Sequence, residues 1–287
     1  MPDTGALFTF YTLSPLHAGA GESATAIDLP IEREKHTAYP VVHSSGIKGS
    51  LREYFRNDDE LKNYVDSIFG KEDDEKGSGK VIFTDAKILL FPVRSSEGVF
   101  KWITCPFVIE RLKRDLKFIN KTENASINVD AFNGKAFKPY SDKIILEDFS
   151  ITVTEDSQIL EFLNRFSLPH FDKEILKNRL IVVSDDVFKT LVTTATQIIA
   201  RNELKDDTKK SANLWYEEVV PADALFYTIM TPAYKENPAI NDLINGIKNQ
   251  ILQLGGNETI GYGLVKMSGN LSASLNGGTA NGSTTKS

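Results

Sequence analysis

The 287-residue sequence has a single cysteine, Cys105. No internal disulfide framework can form, and thiolate zinc sites are excluded. With no signal-like segment at its start, the chain is expected in a reducing cytoplasm. No apolar run is long enough to cross a bilayer. There are four histidines, too dispersed in the sequence to suggest a metal cluster. Excess positive charge is also missing: the net charge is −6, whereas domains that bind nucleic acid through bulk charge are usually basic. That leaves room for a local basic groove, because the relevant field is that of the cleft. The Gly-x-Ser-x-Gly elbow, the dinucleotide fingerprint and the aromatic RNA-recognition signature are absent. Gly77-Ser78-Gly79-Lys80 is no P-loop, since it lacks the first glycine and the Ser/Thr after the lysine, and a strand follows it. Internal repeats are absent as well.

What is present is ordinary globular material. Apolar residues make up 41% and charged residues 25%, enough to bury a sizeable core in one large domain or one domain with insertions. The most chemically loaded stretch is the first fifty residues. Leu7 to Leu13 reads as a strand ended by Pro15. His17 follows, and Gly19 and Gly21 free the backbone for a tight loop. Ala26 to Ile31 is apolar except for Asp28, which taken alone is a strand-end or turn aspartate before a proline. Glu32-Arg33-Glu34-Lys35-His36 alternates in sign and reads as a solvated stretch. Ser44-Ser45-Gly46 enters a helix with Ile47, Leu51 and Phe55 on its core face and Lys48 and Arg52 on another. Such an entry is a ready phosphate site; it fits a Ser-capped helix with solvated basic residues equally well.

Further along, the expectations are a helix over Glu60 to Phe69, an acidic linker over Lys71 to Gly79, and a hairpin of Val81 to Val93 with Gly98 to Thr104. A basic helix follows over Pro106 to Ile119, then an irregular polar stretch over Lys121 to Lys143. Ile144 to Val153 is strand-like, Gln158 to Phe166 and Asp172 to Leu176 read as short helical pieces, and His170 between them as structural. Leu180 to Val183 is a strand, and Ser184 caps a helix through Leu191. Thr196 to Arg201 and Leu214 to Val220 flank a charged tip with Lys205, Lys209 and Lys210, so this hairpin protrudes. Leu225 to Met230 is a strand. Asn237 caps the clearest amphipathic helix, with Ile240, Leu243, Ile244, Ile247, Ile251 and Leu254 at helical spacing. A second glycine loop, Gly255 to Gly263, leads to a closing strand, Leu264 to Met267. Residues 268–287 read as a disordered tail. The order is an α+β pattern compatible with a split βαβ or ferredoxin-like core carrying insertions. The residues that remain suit phosphodiester chemistry, in which backbone N–H groups and cations hold phosphates while a carboxylate binds a metal or takes a proton.

Three stretches together resemble the RAMP superfamily of CRISPR proteins. They are the first strand with Ser14-Pro15-Leu16-His17-Ala18-Gly19-Ala20-Gly21, the helix entry Ser44-Ser45-Gly46-Ile47-Lys48-Gly49, and the loop Gly255-Gly256-Asn257-Glu258-Thr259-Ile260-Gly261-Tyr262-Gly263. Within that family, Asp28 to Thr37, Phe83-Thr84-Asp85-Ala86 and Leu214-Trp215-Tyr216-Glu217-Glu218 resemble the repeated backbone subunit of type III-B (Cmr) effector complexes.

The resemblance implies a single domain over residues 1–267, with an RRM-like (ferredoxin-like) palm, an inserted helical and irregular region at approximately 94–180, and a β-hairpin thumb over 196–220. It implies copies stacked in a helical filament on guide RNA with other Cmr subunits, and target RNA cut at every sixth nucleotide. Guide contacts would fall to Ser44, Ser45, Lys48, Gly49 and Arg52, and Gly255, Gly256 and Gly261 would also bind RNA. Cleavage would be metal-dependent, leaving 2′,3′-cyclic phosphate and 5′-hydroxyl ends, with Asp28 as catalytic residue and Mg²⁺ or Mn²⁺ ligand, His17 as acid or phosphate contact, and Glu217 as auxiliary. Two other readings stay open at this point: a non-catalytic RNA-binding scaffold, and a ribonuclease that processes the guide precursor. Membrane attachment is not expected.

Overall fold

The structure, a computed structural model, describes residues 5–71, 78–120, 134–136, 142–156, 173–204, 211–234, 238–248 and 250–271. The strands are β1 (Ala6–Thr12), β2 (Val41–Val42), β3 (Val81–Phe83), β4 (Ala86–Arg94), β5 (Phe100–Thr104), β6 (Lys135–Ala136), β7 (Lys143–Leu146), β8 (Phe149–Thr152), β9 (Thr154–Glu155), β10 (Leu180–Val182), β11 (Gln197–Leu204), β12 (Ser211–Val219), β13 (Leu225–Pro232), β14 (Ile251–Gln253) and β15 (Leu264–Leu271). The helices are α1 (Ser44–Asn57), α2 (Val65–Phe69), α3 (Pro106–Asn120), α4 (Lys173–Arg179), α5 (Asp185–Thr194) and α6 (Ala239–Ile247).

Among the described residues, eleven strands form one mixed sheet in the order β14-β15-β1-β13-β4-β5-β10-β6-β9, with β2 on β4 and β3 on β13. Strand β1 lies inside it, antiparallel to both β13 and β15. Ala6 to Phe10 are all buried, so both alternating sets of side chains are covered, as a central strand requires. Helix α6 closes over Phe8 and Gly269: a Cβ on Gly269 would sit 2.5 Å from the Phe8 ring and 3.1 Å from Ile244. Helix α3 packs on β4 and β13. Ile47, Leu51 and Phe55 of α1 are buried at the expected spacing, and Gly246 of α6 lets the Phe55 ring approach. No helix among the described residues is long and apolar enough to cross a membrane.

Several elements differ from the sequence reading. Val81 to Val93 is two strands, interrupted at Thr84-Asp85 because the Asp85 carboxylate turns away to the start of α1. Ile144 to Val153 is a β7–β8 hairpin turned at Glu147, whose φ is 51°. Of the helix expected over Glu60 to Phe69, only a 3₁₀ turn at Lys62–Tyr64 and α2 form. The amphipathic helix stops at Ile247 and the chain becomes edge strand β14, where Leu252 and Leu254 are buried and Ile251 is exposed. The closing strand β15 runs on to Leu271, pairing with Ala6. Most of the acidic linker (72–77), most of the polar stretch after α3 (121–133 and 137–141), Gln158 to Phe166, His170, Lys205, Lys209, Lys210, Asn237 and the tail from residue 272 lie outside the described residues.

The run from Glu32 to His36 is solvated only in part: Lys35 and His36 are exposed, and Arg33 and Glu34 are tied inward. Arg33 donates to the buried Glu218 carboxylate at 2.5 Å, and Glu34 accepts from the buried Arg111 at 2.7 Å. Arg111 of the basic helix α3 is 5% exposed, with its guanidinium over the Tyr39 and Phe107 rings. Charges are buried here because each has a partner of opposite sign in hydrogen-bonding contact.

Candidate functional site

Strands β11 and β12 form a two-stranded ribbon whose strand pairing is separate from the main sheet. Its root organises the site. Leu16 exchanges backbone hydrogen bonds with Val220, both at 2.9 Å. From there Leu16 to Glu32 doubles back on itself through Glu32 N–H to Ala18 O (2.7 Å) and Ala20 N–H to Pro30 O (2.9 Å). The returning arm lies against β12 as a short parallel neighbour, with Leu29 N–H donating to Tyr216 O and Glu218 N–H to Leu29 O, each at 3.0 Å.

Asp28 sits at the start of that returning arm. Its Oδ2 accepts the Tyr216 N–H at 2.7 Å. Its Oδ1 has no hydrogen-bond partner among the described residues, and the residue is partly exposed. One carboxylate oxygen is therefore fixed and the other is available.

His17 is held on the same strand from the other limb of the arm. Its Nδ1 lies 2.8 Å from the Glu218 carbonyl, so Nδ1 carries the proton and Nε2 is the open nitrogen of the neutral ring. Nε2 is open because residue 19 is glycine: a Cβ there would lie 2.6 Å from it. Gly19→Ala is expected to push the imidazole off the Glu218 carbonyl with thermal stability changed by only a few degrees. The His17 ring resonances beside a thermal melt check this, and an undisplaced ring in the alanine variant refutes it.

Glu217 and Glu218 are consecutive on a strand and so face opposite ways. Both are buried, at 2% and 3% exposure. Glu217 Oε2 accepts from Arg201 Nε at 3.0 Å, Oε1 accepts from Asn257 Nδ2, and His17 Nδ1 lies 3.5 Å from Oε1. Glu218 Oε1 accepts from Arg33 and from the Thr196 hydroxyl (2.7 Å), and Oε2 from the Ile31 N–H (3.2 Å). One glutamate ties the ribbon to the late glycine loop, the other to the Asp28 arm.

That glycine loop packs on the His17 loop. Gly256 N–H donates to His17 O at 3.0 Å and Gly263 N–H to Pro15 O at 2.8 Å. Gly255, at φ 80°, lies so close to the His17 carbonyl that a Cβ would approach its oxygen to 2.4 Å. Gly255, Gly256 and Gly261 nonetheless keep an exposed side.

The residues of α1 form a second group. Ser44 N–H donates to Asp85 Oδ1 at 2.7 Å, so a carboxylate from the β3–β4 break sits where the helix start attracts an anion. Burial alone would raise the Asp85 pKa; the Ser44 N–H and the nearby His43 outweigh it and hold the carboxyl below its ordinary value. Ser45 and Gly49 are exposed, Lys48 is partly exposed, and Arg52 donates to Gly70 O. The two groups are joined through His43, 3.4 Å from both Asp85 Oδ2 and Glu32 Oε2.

No three His, Cys, Asp or Glu side chains among the described residues gather as a metal site. Among the described residues, Asp28 Oδ1 and His17 Nε2 are the open side-chain donors identified at the ribbon root, too few for a resident divalent-cation site by themselves.

Arg33, Glu218, Asn257, Arg201, Tyr262 and Asp85 were not assigned roles from sequence. The signal for Glu218 was present: two adjacent glutamates run directly into the apolar pair Val219-Val220.

Comparison with known proteins shows the family. The RAMP superfamily family model matches residues 9–266. The CRISPR system Cmr endoribonuclease Cmr4 of Pyrococcus furiosus is 37% identical over 278 residues, covering 91% of this chain and 94% of that protein. The CRISPR system CMR subunit Cmr4 of Saccharolobus solfataricus is 22% identical over 306 residues, covering 91% and 98%. Among solved structures, oligomeric Cmr4 from P. furiosus aligns with a TM-score of 0.76 at 33% identity, over 94% of this chain and 99% of that one. A chain of the type III-B Cmr-beta complex bound to cognate target RNA aligns at 0.78 and 20% identity, over 94% and 98%, a likeness of fold.

Proposed function

The chain belongs to the RAMP superfamily, and on that footing we propose that it is the backbone subunit of a type III-B CRISPR effector that binds guide RNA along a filament and cleaves complementary target RNA. The observation that carries this is the attachment of Asp28 and His17 to one strand, β12, each with one reactive atom left open. The 37% identity to a Cmr endoribonuclease along nearly the whole chain supports the same activity.

We read β15-β1-β13-β4, with α1 and α6 as crossovers, as the RRM-like palm, and the β11–β12 ribbon as the thumb. The exposed Ile198, Leu214 and Tyr216 share one ribbon face by register, a surface suited to wedge between bases of the guide–target duplex at every sixth nucleotide. Ser44, Ser45, Lys48, Gly49 and Arg52 would line the guide, together with Gly255, Gly256 and Gly261. Asp85 takes only the Ser44 N–H, so the N–H groups of Ser45 and Gly46 remain for a phosphate. Copies of the chain would stack with one another and with other Cmr subunits.

In the reaction, Asp28 Oδ1 takes the proton from a target 2′-hydroxyl, whose oxygen attacks the adjacent phosphorus. The bond to the next nucleotide's 5′-oxygen breaks, leaving a 2′,3′-cyclic phosphate and a 5′-hydroxyl. His17, protonated on both nitrogens, donates from Nε2 to the departing oxygen. A divalent cation, Mg²⁺ or Mn²⁺, would arrive with the target RNA, ligated chiefly by phosphate and water oxygens, and supply Lewis-acid stabilisation of the phosphate charge.

The primary test is target cleavage by the guide-loaded complex carrying Asp28→Asn. The Asp28–Tyr216 hydrogen bond gives the scaffold reading its one specific observation, since it is a structural job for the carboxylate. The guide-processing reading is tested by offering repeat-containing precursor to the isolated protein. A separate result is expected for the ribbon: removing Asn202 to Ala212 should leave guide loading intact while the regular spacing of cuts is lost. Sequencing-gel ladders check it, and an unaltered ladder refutes the thumb assignment.

A further inference from the structure

Arg201 is on β11, paired in register with Trp215 of β12. Two contacts fix the plane of its guanidinium. Nε donates edge-on to Glu217 Oε2 at 3.0 Å, and the face lies over the Tyr262 ring with the guanidinium carbon 4.9 Å from the centroid. The side chain is 24% exposed. Its Nη2 is buried and has no hydrogen-bond partner among the described residues. An enclosed Nη2 is out of reach of an incoming ligand, so an acceptor for this guanidinium has to approach the exposed part of the side chain.

The neighbourhood says which acceptor. The Glu217 carboxylate that orients Arg201 also lies 3.5 Å from His17 Nδ1 and accepts from Asn257. The Asp28 carboxylate hangs from the N–H of Tyr216, the residue before Glu217. Arg201 is therefore one carboxylate away from the histidine and on the strand paired to the one that carries the aspartate. A planar guanidinium with one edge tied and its face stacked can meet an oxyanion through its exposed part with little further loss of freedom.

We propose that Arg201 is an RNA-binding residue that holds a phosphate oxygen of the target strand at the root of the ribbon, with Glu217 and Tyr262 presetting its guanidinium. The inference rests on the reading above only in placing target RNA across this root; it does not depend on Asp28 being the cleaving group.

The experiment measures equilibrium binding of target RNA to the guide-loaded complex over a range of salt concentrations. The target carries 2′-deoxy substitutions at the cut positions so that it stays whole. Arg201→Gln should make the slope of log affinity against log salt shallower by about 0.7–0.9 for each copy of the chain. Arg201→Lys keeps the charge and should keep the parent slope with weaker affinity. The slope for guide loading should not change. Tyr262→Leu, which leaves the cation and its ion pair, is the second variant and should weaken target affinity severalfold at unchanged guide loading.

A parent-like target slope in Arg201→Gln overturns the proposal, as does a slope change confined to guide loading. If Arg201→Gln does not assemble, parent-like target affinity in Tyr262→Leu does the same. Asp28→Asn losing cleavage while Arg201→Gln keeps the parent slope would remove this inference and leave the proposed function standing. Intact cleavage in Asp28→Asn with the expected slope change in Arg201→Gln would do the reverse.

Discussion

Replacing Asp28 by Asn in the guide-loaded complex is expected to slow every regularly spaced target cut by roughly 10²–10⁴-fold, the range for loss of a positioned acid or base. That corresponds to about 3–5 kcal/mol of transition-state stabilisation at 1.36 kcal/mol per decade. Asparagine is the informative choice because its amide oxygen can still accept the Tyr216 N–H that Asp28 Oδ2 accepts at 2.7 Å. The arm then keeps its place on β12 and only the carboxylate's charge and basicity are lost. Asp28→Ala removes both and should also loosen the arm. Guide loading and filament assembly, read by native electrophoresis, should match the parent for the asparagine variant. Unchanged cut rates in it would sink the assignment of Asp28 and promote the scaffold reading.

The second large effect concerns stability. Glu218→Ala is expected to destabilise the fold by about 3–5 kcal/mol, the range for removing one partner of a buried ion pair. The carboxylate is 3% exposed and accepts from three places at once: Arg33, Thr196 and the Ile31 N–H. Its loss takes the ion-pair partner from Arg33, whose side chain is 20% exposed and whose Nη1 keeps only the Ala38 and Val192 carbonyls, and leaves the Thr196 hydroxyl and Ile31 N–H without this acceptor. A paired apolar replacement, Arg33→Met with Glu218→Leu, should recover part of the loss, because it leaves no uncompensated charge. Urea unfolding midpoints of the three proteins decide it. If Glu218→Ala costs less than about 1 kcal/mol, the pair resembles an exposed one and does not anchor the arm. Because the same carboxylate holds the segment that carries Asp28, the alanine variant should also cut slowly at temperatures where it remains folded.

The elements that were legible in the sequence are those whose evidence is local. Ile47, Leu51 and Phe55 of α1, and Ile240, Leu243 and Ile247 of α6, are buried as their spacing requires. The end of α6 was not legible, because Ile251 and Leu254 continue the helical period by coincidence. Their burial follows the alternation of a strand, Leu252 and Leu254 inward and Ile251 outward, and only β15 alongside selects it. The break at Thr84-Asp85 was hidden for a related reason: the flanking residues all suit a strand, and the carboxylate that interrupts them serves the start of a helix about forty residues earlier.

The site divides along the same line. By its own residue types the sequence determined that the chemistry here is that of oxygen and nitrogen groups, that His17 and Asp28 fall within one glycine-broken loop, and that the ribbon would be a separate hairpin. Only the tertiary structure decided that His17 and Asp28 are fixed to β12 and that Glu217 and Glu218 are buried anchors on opposite faces of it. It also decided that Arg33 and Glu34, in a run that looks solvated, are half-buried and pair with the buried Glu218 and Arg111. The reason is physical. Periodicity reports which way a side chain points within its own element. Whether a charge is buried depends on a partner that here lies 77 to 185 residues away in the chain, and nothing in the local pattern carries that distance.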